Sequence, residues 1–343
     1  MLDERKAKIL SAVIDDYIAT AEPIGSRTIA RKYQIGISPA TIRNEMADLE
    51  ELGYLSQPHT SAGRVPSNKG YRFYVDFLMP SRKITQNEQL VIKRLFKKRI
   101  KELEDLVEEA AKVISKLTSY TAVILGPQIE TSRLKHIQIM CIEQGKGLIL
   151  LLTDCGTISH HIINIPQNLT DSDLTRLSNA LNDNLVGKTF SEITTELMES
   201  IKNEMIEYDD ILNVLFDILQ ESLGDENDNA KVITAGSSNM LEFPEFRDVE
   251  KAVSFLALLE QSSLLKKVLR DSHRQDALTI TIGTENPCTE FQDLSIITSS
   301  FEISNKNLGV CSIMGPTRME YSKVVAVLEK VTDFLNETIA NLL

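Results

Sequence analysis

The amino-terminal part of the chain alternates helical hydrophobic repeats with turn signals, and this order restricts the fold more than any other sequence feature. Apolar residues recur at helical spacing over residues 4–19, and after the turn EPIGS the helical pattern resumes over residues 27–34. The next stretch, at residues 37–55, reads ISPATIRNEMADLEELGYL; it begins with Ser38 as an N-cap signal and stops at Gly53. Three short helices separated by tight turns are therefore predicted.

The third of these helices is predicted to have one apolar face and one small polar face. At about 100° per residue, Ile42, Met46 and Leu49 share the side that would pack on a core. Asn44 and Ala47 lie on the opposite side. A face built from such small side chains could approach another molecule closely.

A hairpin is predicted directly after the third helix. The segment YLSQPHTSAGRVPS forms two short extended pieces around a tip of small and polar residues. Helix, helix, turn, helix and hairpin, in this order, are typical of a winged helix-turn-helix, in which the third helix enters the major groove of DNA. We place this domain at residues 1–80. The alternative is a solvated helix face and a polar loop in a module that binds protein, but the ordered set favours DNA.

The predicted DNA contacts fall on the third helix, the hairpin tip and the helix that follows. Arg43 suits guanine and Asn44 suits adenine through paired hydrogen bonds. A helix over residues 67–79, capped by Ser67, carries two basic residues that could bind phosphates or be ordinary solvated side chains. The candidate site residues are Ser38, Ala40, Thr41, Arg43, Asn44, His59, Thr60, Ser61, Arg64, Lys69 and Arg72.

The net charge of −12 is distributed unevenly along the chain. Residues 1–101 hold 18 Lys and Arg against 11 Asp and Glu, whereas residues 102–343 hold 19 against 38. A basic amino-terminal module joined to an acidic remainder is expected when only one module touches nucleic acid.

Length and composition predict a globular protein with two or three domains. The chain has 343 residues, 42% of them hydrophobic, which is enough for more than one core. Its apolar runs are far shorter than the roughly 20 helical residues that span a bilayer, and its charged amino terminus does not resemble a signal peptide. Four widely spaced cysteines indicate reduced thiols. We therefore expect a cytoplasmic protein with no membrane partner.

The remainder of the chain predicts an α+β architecture. A long helix over residues 86–118 has a heptad seam, which more often packs within its own domain than on a partner. Three strands are predicted within residues 134–165 and three more after residue 277, followed by a closing helix over residues 320–342. Six strands with flanking helices form an antiparallel sheet domain of the GAF-like kind.

A mostly helical segment of over 100 residues separates the two groups of strands, and we interpret it as an insertion. The chain is thus predicted to be a multidomain α+β protein whose apolar insertion favours a second subunit. The predicted boundaries are 1–80 for the winged helix, 81–103 for a connecting helix, 104–167 and 246–343 for the GAF-like domain, and 168–245 for the inserted dimerisation domain.

No catalytic or nucleotide-binding motif is present in the sequence. His160 and His161 are adjacent in a predicted strand, so their side chains point to opposite faces and cannot share a metal without distortion. We expect no enzymatic activity, no cofactor and no metal.

Two segments resemble one bacterial family, the heat-inducible transcription repressor HrcA. They are residues 37–76, ISPATIRNEMADLEELGYLSQPHTSAGRVPSNKGYRFYVD, and residues 312–324, SIMGPTRMEYSKV, which looks like the C-terminal signature of that family. The resemblance implies a homodimer whose winged helices bind an inverted-repeat operator, the CIRCE element, upstream of chaperone operons. It also implies relief of repression on heating, with the GroEL chaperonin keeping the repressor active. The same resemblance implies a winged helix, a GAF-like domain and an inserted dimerisation domain.

Two other functions compete with this reading. In the first, the GAF-like domain binds a small effector that controls a transcription regulator. In the second, the chain is a protein-docking adaptor with no role at DNA. A ligand that alters operator affinity would support the first, and failure to bind duplex DNA at low salt would support the second.

Overall fold

The computed structural model divides the chain into two compact units. The described residues are 2–33, 35–59, 62–95, 103–126, 133–154, 158–221, 231–273, 278–303 and 306–342. The first unit comprises Met1–Leu125, Val232–Phe301 and Val310–Glu337, and the second comprises Gly126–Lys231, Glu302–Gly309 and Thr338–Leu343.

Three helices open the first unit, as predicted. They are α1 (Glu4–Thr20), α2 (Ser26–Lys32) and α3 (Pro39–Glu51). Asp3 caps α1 by accepting a hydrogen bond from the backbone N–H of Lys6 at 2.8 Å. The cap of α2 is Gly25, and Ser26 is the first residue of the helix.

The predicted wing is a short antiparallel hairpin, in which β1 (Leu55–Ser56) pairs with β2 (Val65–Pro66). Ile24 extends this pairing, because its backbone exchanges hydrogen bonds of 2.9 and 2.8 Å with the backbone of Arg64. A Cβ atom on Gly63 would lie 2.4 Å from the backbone of Ile24, so this position requires glycine. The order of three helices and a wing confirms the winged helix.

Three more helices follow the wing: α4 (Asn68–Phe73), α5 (Gln86–Leu95) and α6 (Leu103–Thr118). Ser67 caps α4 as predicted, accepting from the backbone N–H of Gly70 at 3.1 Å, and a π-helical turn, Tyr74–Leu78, continues the helix. The helix expected over residues 86–118 is described as α5 and α6, and residues 96–102 lie outside the described residues. Leu106, Ala110 and Val113 of its apolar seam are buried, and α6 packs on β3 and β7 of the same unit.

The rest of the chain contributes strands and helices to both units. In chain order they are β3 (Thr121–Leu125), β4 (Leu134–Glu143), β5 (Lys146–Thr153), β6 (Ile158–Asn164), α7 (Asp171–Leu185), α8 (Thr195–Glu204), α9 (Asp209–Glu221), β7 (Val232–Ala235), α10 (Val249–Glu260), α11 (Ser262–His273), β8 (Leu278–Ile282), β9 (Leu294–Ile303), β10 (Lys306–Pro316) and α12 (Tyr321–Leu342).

The first unit contains a five-stranded sheet in the order β7–β3–β10–β9–β8, in which the β7–β3, β3–β10 and β9–β8 pairs are antiparallel. We call this sheet with α6 and α10–α12 the body. The six predicted strands do not share this sheet, which is a correction to the sequence analysis. Among the described residues, the strands of residues 134–165 pair only with one another, while β3, which was not predicted, and β7 occupy the other positions of the five-stranded sheet.

The second unit is built on the meander β4–β5–β6, which is antiparallel as its short turns predict. One face of this sheet is covered, because Ile137, Ile139 and Ile149 share a buried cluster with Leu177 and Leu181 of α7. The structure therefore places the meander and helices α7–α9 in one unit, whereas the predicted boundary at residue 168 separates them. None of the described helices has the length and apolar character that a membrane crossing requires.

Candidate nucleic-acid interface

The start of α3 is fixed by two of the predicted site residues. Ser38 accepts a hydrogen bond from the backbone N–H of Thr41 at 3.1 Å, and the two hydroxyl oxygens lie 2.9 Å apart. Pro39 occupies the first helical position, where a missing N–H removes no helical hydrogen bond. Ser38 and Thr41 thus form the amino-terminal cap of this helix.

The outer face of α3 is exposed and small, as the helical periodicity predicts. The buried side chains of the helix are Ile42, Met46 and Leu49. Ala40, Arg43, Asn44 and Ala47 are exposed. Within the described part of the chain, the side chains of Arg43 and Asn44 have no hydrogen-bond or ion-pair partner. Their polar groups are therefore free to bind another molecule.

Two acidic residues of α3, Glu45 and Asp48, face basic residues of α1. The ammonium group of Lys6 lies 2.7 Å from the Glu45 carboxylate and 3.0 Å from the Asp48 carboxylate. Arg5 adds a longer contact of 3.4 Å to Glu45. Hydrogen bonds to these two carboxylates raise the pKa of Lys6, which therefore stays protonated at physiological pH. Two negative charges on α3 are thus neutralised from within the domain.

The wing supplies one further ion pair to α3. The guanidinium of Arg64 lies 2.7 Å from the carboxylate of Glu50, so this predicted site residue is already engaged within the domain. His59 is exposed, and its carbonyl accepts from the backbone N–H of Ala62 at 2.9 Å. The predicted site residues Thr60 and Ser61 lie outside the described residues.

The two predicted phosphate contacts of α4 make intramolecular contacts instead of standing free. Lys69 donates to the carbonyl of Leu52 at 2.8 Å and lies over the ring of Tyr54 at 4.6 Å. Arg72 donates to the carboxylate of Glu285 at 2.8 Å, and this bond raises the pKa of the Arg72 guanidinium. The contact with Glu285 favours a packing role for Arg72 between the winged helix and the body.

Arg318 is a junction residue that is not among the predicted site residues, and it lies in the segment SIMGPTRMEYSKV. Its guanidinium pairs with both carboxylate oxygens of Glu245, one at 3.1 Å, and donates to the carbonyl of Ile18 in α1 at 3.1 Å. It also lies over the ring of Phe243 at 5.4 Å. Arg318 is only 7% exposed, and an arginine in a short apolar segment was the signal that could have revealed it.

A turn of the body makes a second contact with the winged helix. The amide of Asn68 donates to the hydroxyl of Thr284 at 3.2 Å. The backbone at Gly283 comes so close that a Cβ atom there would lie 2.3 Å from Asn68. The rings of Tyr71 and Tyr321 pack at 6.0 Å between centroids. Within the first unit, the winged helix is therefore held against the body at several points.

Comparison with known sequence families agrees with this architecture. Residues 1–75 match the family described as the winged helix-turn-helix transcription repressor, HrcA DNA-binding, and residues 104–325 match the HrcA protein C terminal domain. The chain belongs to the HrcA family. A DNA-binding winged helix therefore opens this family member, as its sequence predicts.

Full-length relatives support the same assignment. The heat-inducible transcription repressor HrcA of Pelotomaculum thermopropionicum is 41% identical over 338 residues, covering 98% of this chain and 97% of the relative. The protein of the same name from Carboxydothermus hydrogenoformans is 42% identical over 341 residues and 99% of both chains. A crystal structure titled as a hypothetical protein shares the fold, with a TM-score of 0.67, 22% identity and 100% coverage of both chains. This HrcA family member is a heat-inducible transcription repressor.

Proposed function

We propose that the chain represses chaperone operons as a homodimer that binds the CIRCE inverted repeat. In this proposal, α3 of each winged helix reads one half-site. The observation that carries it is the exposed start of α3, where Arg43 and Asn44 have no partner among the described residues. The identity of the operator rests on the resemblance to the HrcA family.

The dimensions and chemistry of α3 support the reading of bases. The major groove is about 12 Å wide and admits one helix. Ala40 and Ala47 allow close approach of the α3 backbone, and no acidic residue occurs between Ser38 and Asn44. Arg43 can donate two hydrogen bonds to guanine, and Asn44 can pair with adenine. Phosphate contacts would then come from the wing around His59.

The exposed face of the second unit's sheet supports a homodimer. Across the three strands, Met140 is paired with Leu148, and Leu148 with Ile162, in one row. Ile162 is 68% exposed and Ile158 is 65% exposed. A contiguous apolar sheet face of this kind marks an interaction surface. The same face on a second copy would give a two-fold symmetric interface, which matches the symmetry of an inverted repeat.

Heat control follows in the proposal from the need for two correctly held winged helices. A dimer that engages both half-sites binds more tightly than one winged helix alone, because the second half-site is bound intramolecularly. This gain is lost when the two winged helices are no longer held at the spacing of the half-sites. Heating that loosens the body or the dimer would therefore release the operator. GroEL would act in this scheme by returning released subunits to the dimeric form, with the apolar sheet face as a surface that it can bind.

A footprint of the full-length chain on its own upstream DNA tests the proposal. We expect protection centred on an inverted repeat, and loss of most of it when one half-site is scrambled. After a heat pulse, added GroEL with ATP should restore protection, whereas bovine serum albumin at the same mass should not. Absence of protection at low salt would instead favour the protein-docking adaptor.

A second candidate function is control by a small effector bound to the body, in keeping with the GAF-like assignment. The observation that favours it is a groove of about 730 Å³ in the first unit. Its apolar floor includes Phe246, Phe255 and Leu258, and its rim includes Asn68 of the winged helix. A metabolite that raises the melting temperature and changes operator affinity would establish this function.

A further inference from the structure

We propose that Arg318 is a positioning residue that fixes the direction of the winged helix on the body, and thereby makes operator binding depend on half-site spacing. The inference rests on the proposed function, because it concerns how two winged helices meet one inverted repeat. It gives a role to the segment SIMGPTRMEYSKV, which the DNA-contact argument leaves unused.

The contacts of Arg318 join three parts of the first unit. Glu245 lies in the segment between β7 and α10, Arg318 itself lies between β10 and α12, and Ile18 lies in the last turn of α1. The guanidinium binds both carboxylate oxygens of Glu245 and the Ile18 carbonyl. A planar guanidinium can hold a carboxylate and a carbonyl in fixed directions, which the single ammonium of lysine cannot do.

The position of Ile18 makes this contact significant for orientation. The last four carbonyls of a helix lack partners within the helix, and a cation there is also favoured by the helix dipole. Arg318 therefore holds α1 by its carboxyl-terminal end. The amino-terminal end of α1 contacts α3 through Lys6 and Glu45. Movement at Arg318 is thus transmitted along α1 to the recognition helix.

The length of α1 amplifies such movement. Its 17 residues span about 25 Å at 1.5 Å per residue, so a rotation of about 10° at one end displaces the other by about 4 Å. A shift of this size exceeds the tolerance of a hydrogen bond to a base edge. The second contact, from Arg72 to Glu285, restrains the winged helix at α4. The winged helix is therefore held at both α1 and α4, and these two contacts together fix its direction on the body.

The test measures affinity on duplexes whose half-sites are moved relative to each other. Adding two base pairs to the spacer rotates one half-site by about 70° relative to the other. We expect the wild-type chain to bind the natural spacing at least about tenfold better than this lengthened one. In Arg318→Lys the preference for the natural over the lengthened spacing should fall to about twofold, because binding to the natural spacing weakens. The affinity for an isolated half-site should stay unchanged. Arg247→Lys is the matched control, because Arg247 is exposed and its guanidinium has no partner in the described part of the chain.

The inference is overturned if a folded Arg318→Lys chain keeps the wild-type ratio of affinities for the natural and lengthened spacings. It is also overturned if the variant loses as much affinity for an isolated half-site as for the natural spacing. If Arg318→Lys does not fold, Glu245→Gln removes the same ion pair and must lower the ratio. Hydrogen exchange provides a readout without DNA: in either variant, amides at the end of α1 should exchange at least about tenfold faster, while those of α6 should not change. If the wild-type chain does not bind the inverted repeat, the proposed function is wrong. Unchanged hydrogen exchange at the end of α1 in the variants would separately reject the role of Arg318.

Discussion

Arg43 and Asn44 are exposed in the first two turns of α3, where a recognition helix reaches base edges. Each well-formed pair of hydrogen bonds to a base contributes about 1–3 kcal/mol of discrimination. We therefore predict that Arg43→Ala and Asn44→Ala bind operator and scrambled duplex with similar affinity in gel-shift titrations. Sedimentation should show an unchanged oligomeric state. Retained preference for the operator in both variants would remove these residues from the base contacts.

Lys6 should support DNA binding through the acids that it neutralises. In Lys6→Met, Glu45 and Asp48 lose their 2.7 and 3.0 Å partner, and their charges oppose the phosphates. We predict weaker binding to all duplexes, with affinity restored in the double variant Lys6→Met/Glu45→Gln. The measurement is affinity as a function of salt. If the double variant stays weak and its salt slope falls, Lys6 itself contacts a phosphate.

At the scale of single residues, the sequence predicts those contacts that form between residues close together in the chain. Ser38 and Ser67 cap their helices through backbone groups three residues away, and such signals are visible in a short window. Arg72 could not be assigned in the same way, since its partner Glu285 lies 213 residues later. A basic side chain on a helix looks the same in sequence whether it meets a phosphate or a distant carboxylate.

The wing is the element whose geometry depends most on one glycine. A methyl group on Gly63 would lie 2.4 Å from the carbonyl of Ile24, so the hairpin must move away from the Ile24–Arg64 bridge. We predict that Gly63→Ala costs about 1–3 kcal/mol of stability and weakens binding to all duplexes. Thermal unfolding and anisotropy titrations measure the two effects. Gly126→Ala is the control, because a Cβ atom there would make only ordinary contacts, at 3.5 Å or more.

The open face of the β4–β5–β6 sheet gives a second prediction at this scale. Ile162→Asp places a charge on the exposed apolar row without changing the buried face of the sheet. We predict a folded monomer in sedimentation velocity, with operator affinity reduced to that of a single half-site. Asn179→Asp adds the same charge to an exposed position on α7 and should leave the dimer intact. A dimeric Ile162→Asp chain would place the interface elsewhere.

Helices, the wing and the meander follow from local periodicity, whereas the sheet of the body does not. All five residues of β3 are buried, so this strand lacks the alternation that indicates a half-exposed strand. Its partner β10 begins about 180 residues later in the chain, with Val310 opposite Leu125. Pairings of such separation depend on the packed unit as a whole, and local periodicity therefore predicts the wrong sheet for the meander.

For the whole first unit, buried tyrosines predict a loss of stability in alkali. Burial raises the pKa of Tyr71, Tyr74 and Tyr321, and it raises that of Tyr120 to about 12. An unfolded tyrosine titrates near pH 10, at about its reference value. Between about pH 10 and 12 the unfolded chain therefore releases protons that the folded chain retains, and unfolding is favoured as pH rises.

We predict that the melting temperature of the first unit falls steadily above about pH 10, and that tyrosine absorbance changes together with unfolding. Tyr120→Phe should have a shallower decline than the wild type. A melting temperature independent of pH between 9 and 11.5 would contradict this expectation. The uneven charge distribution of the sequence does not indicate this loss of stability in alkali. The loss arises from tyrosine side chains, which are neutral near pH 7.

Arg318 follows its partner Ile18 by 300 residues, and this separation has a consequence during translation. The winged helix emerges from the ribosome first, and Arg318, which sets its direction, is added about 300 residues after Ile18. At about 5–20 residues per second, the interval is about 15–60 s. Until then, the winged helix of a nascent or prematurely terminated polypeptide lacks the Arg318 contact that sets its direction. Only a polypeptide that already contains Arg318 can gain the full affinity for the natural half-site spacing, so repression depends on chains elongated past that residue.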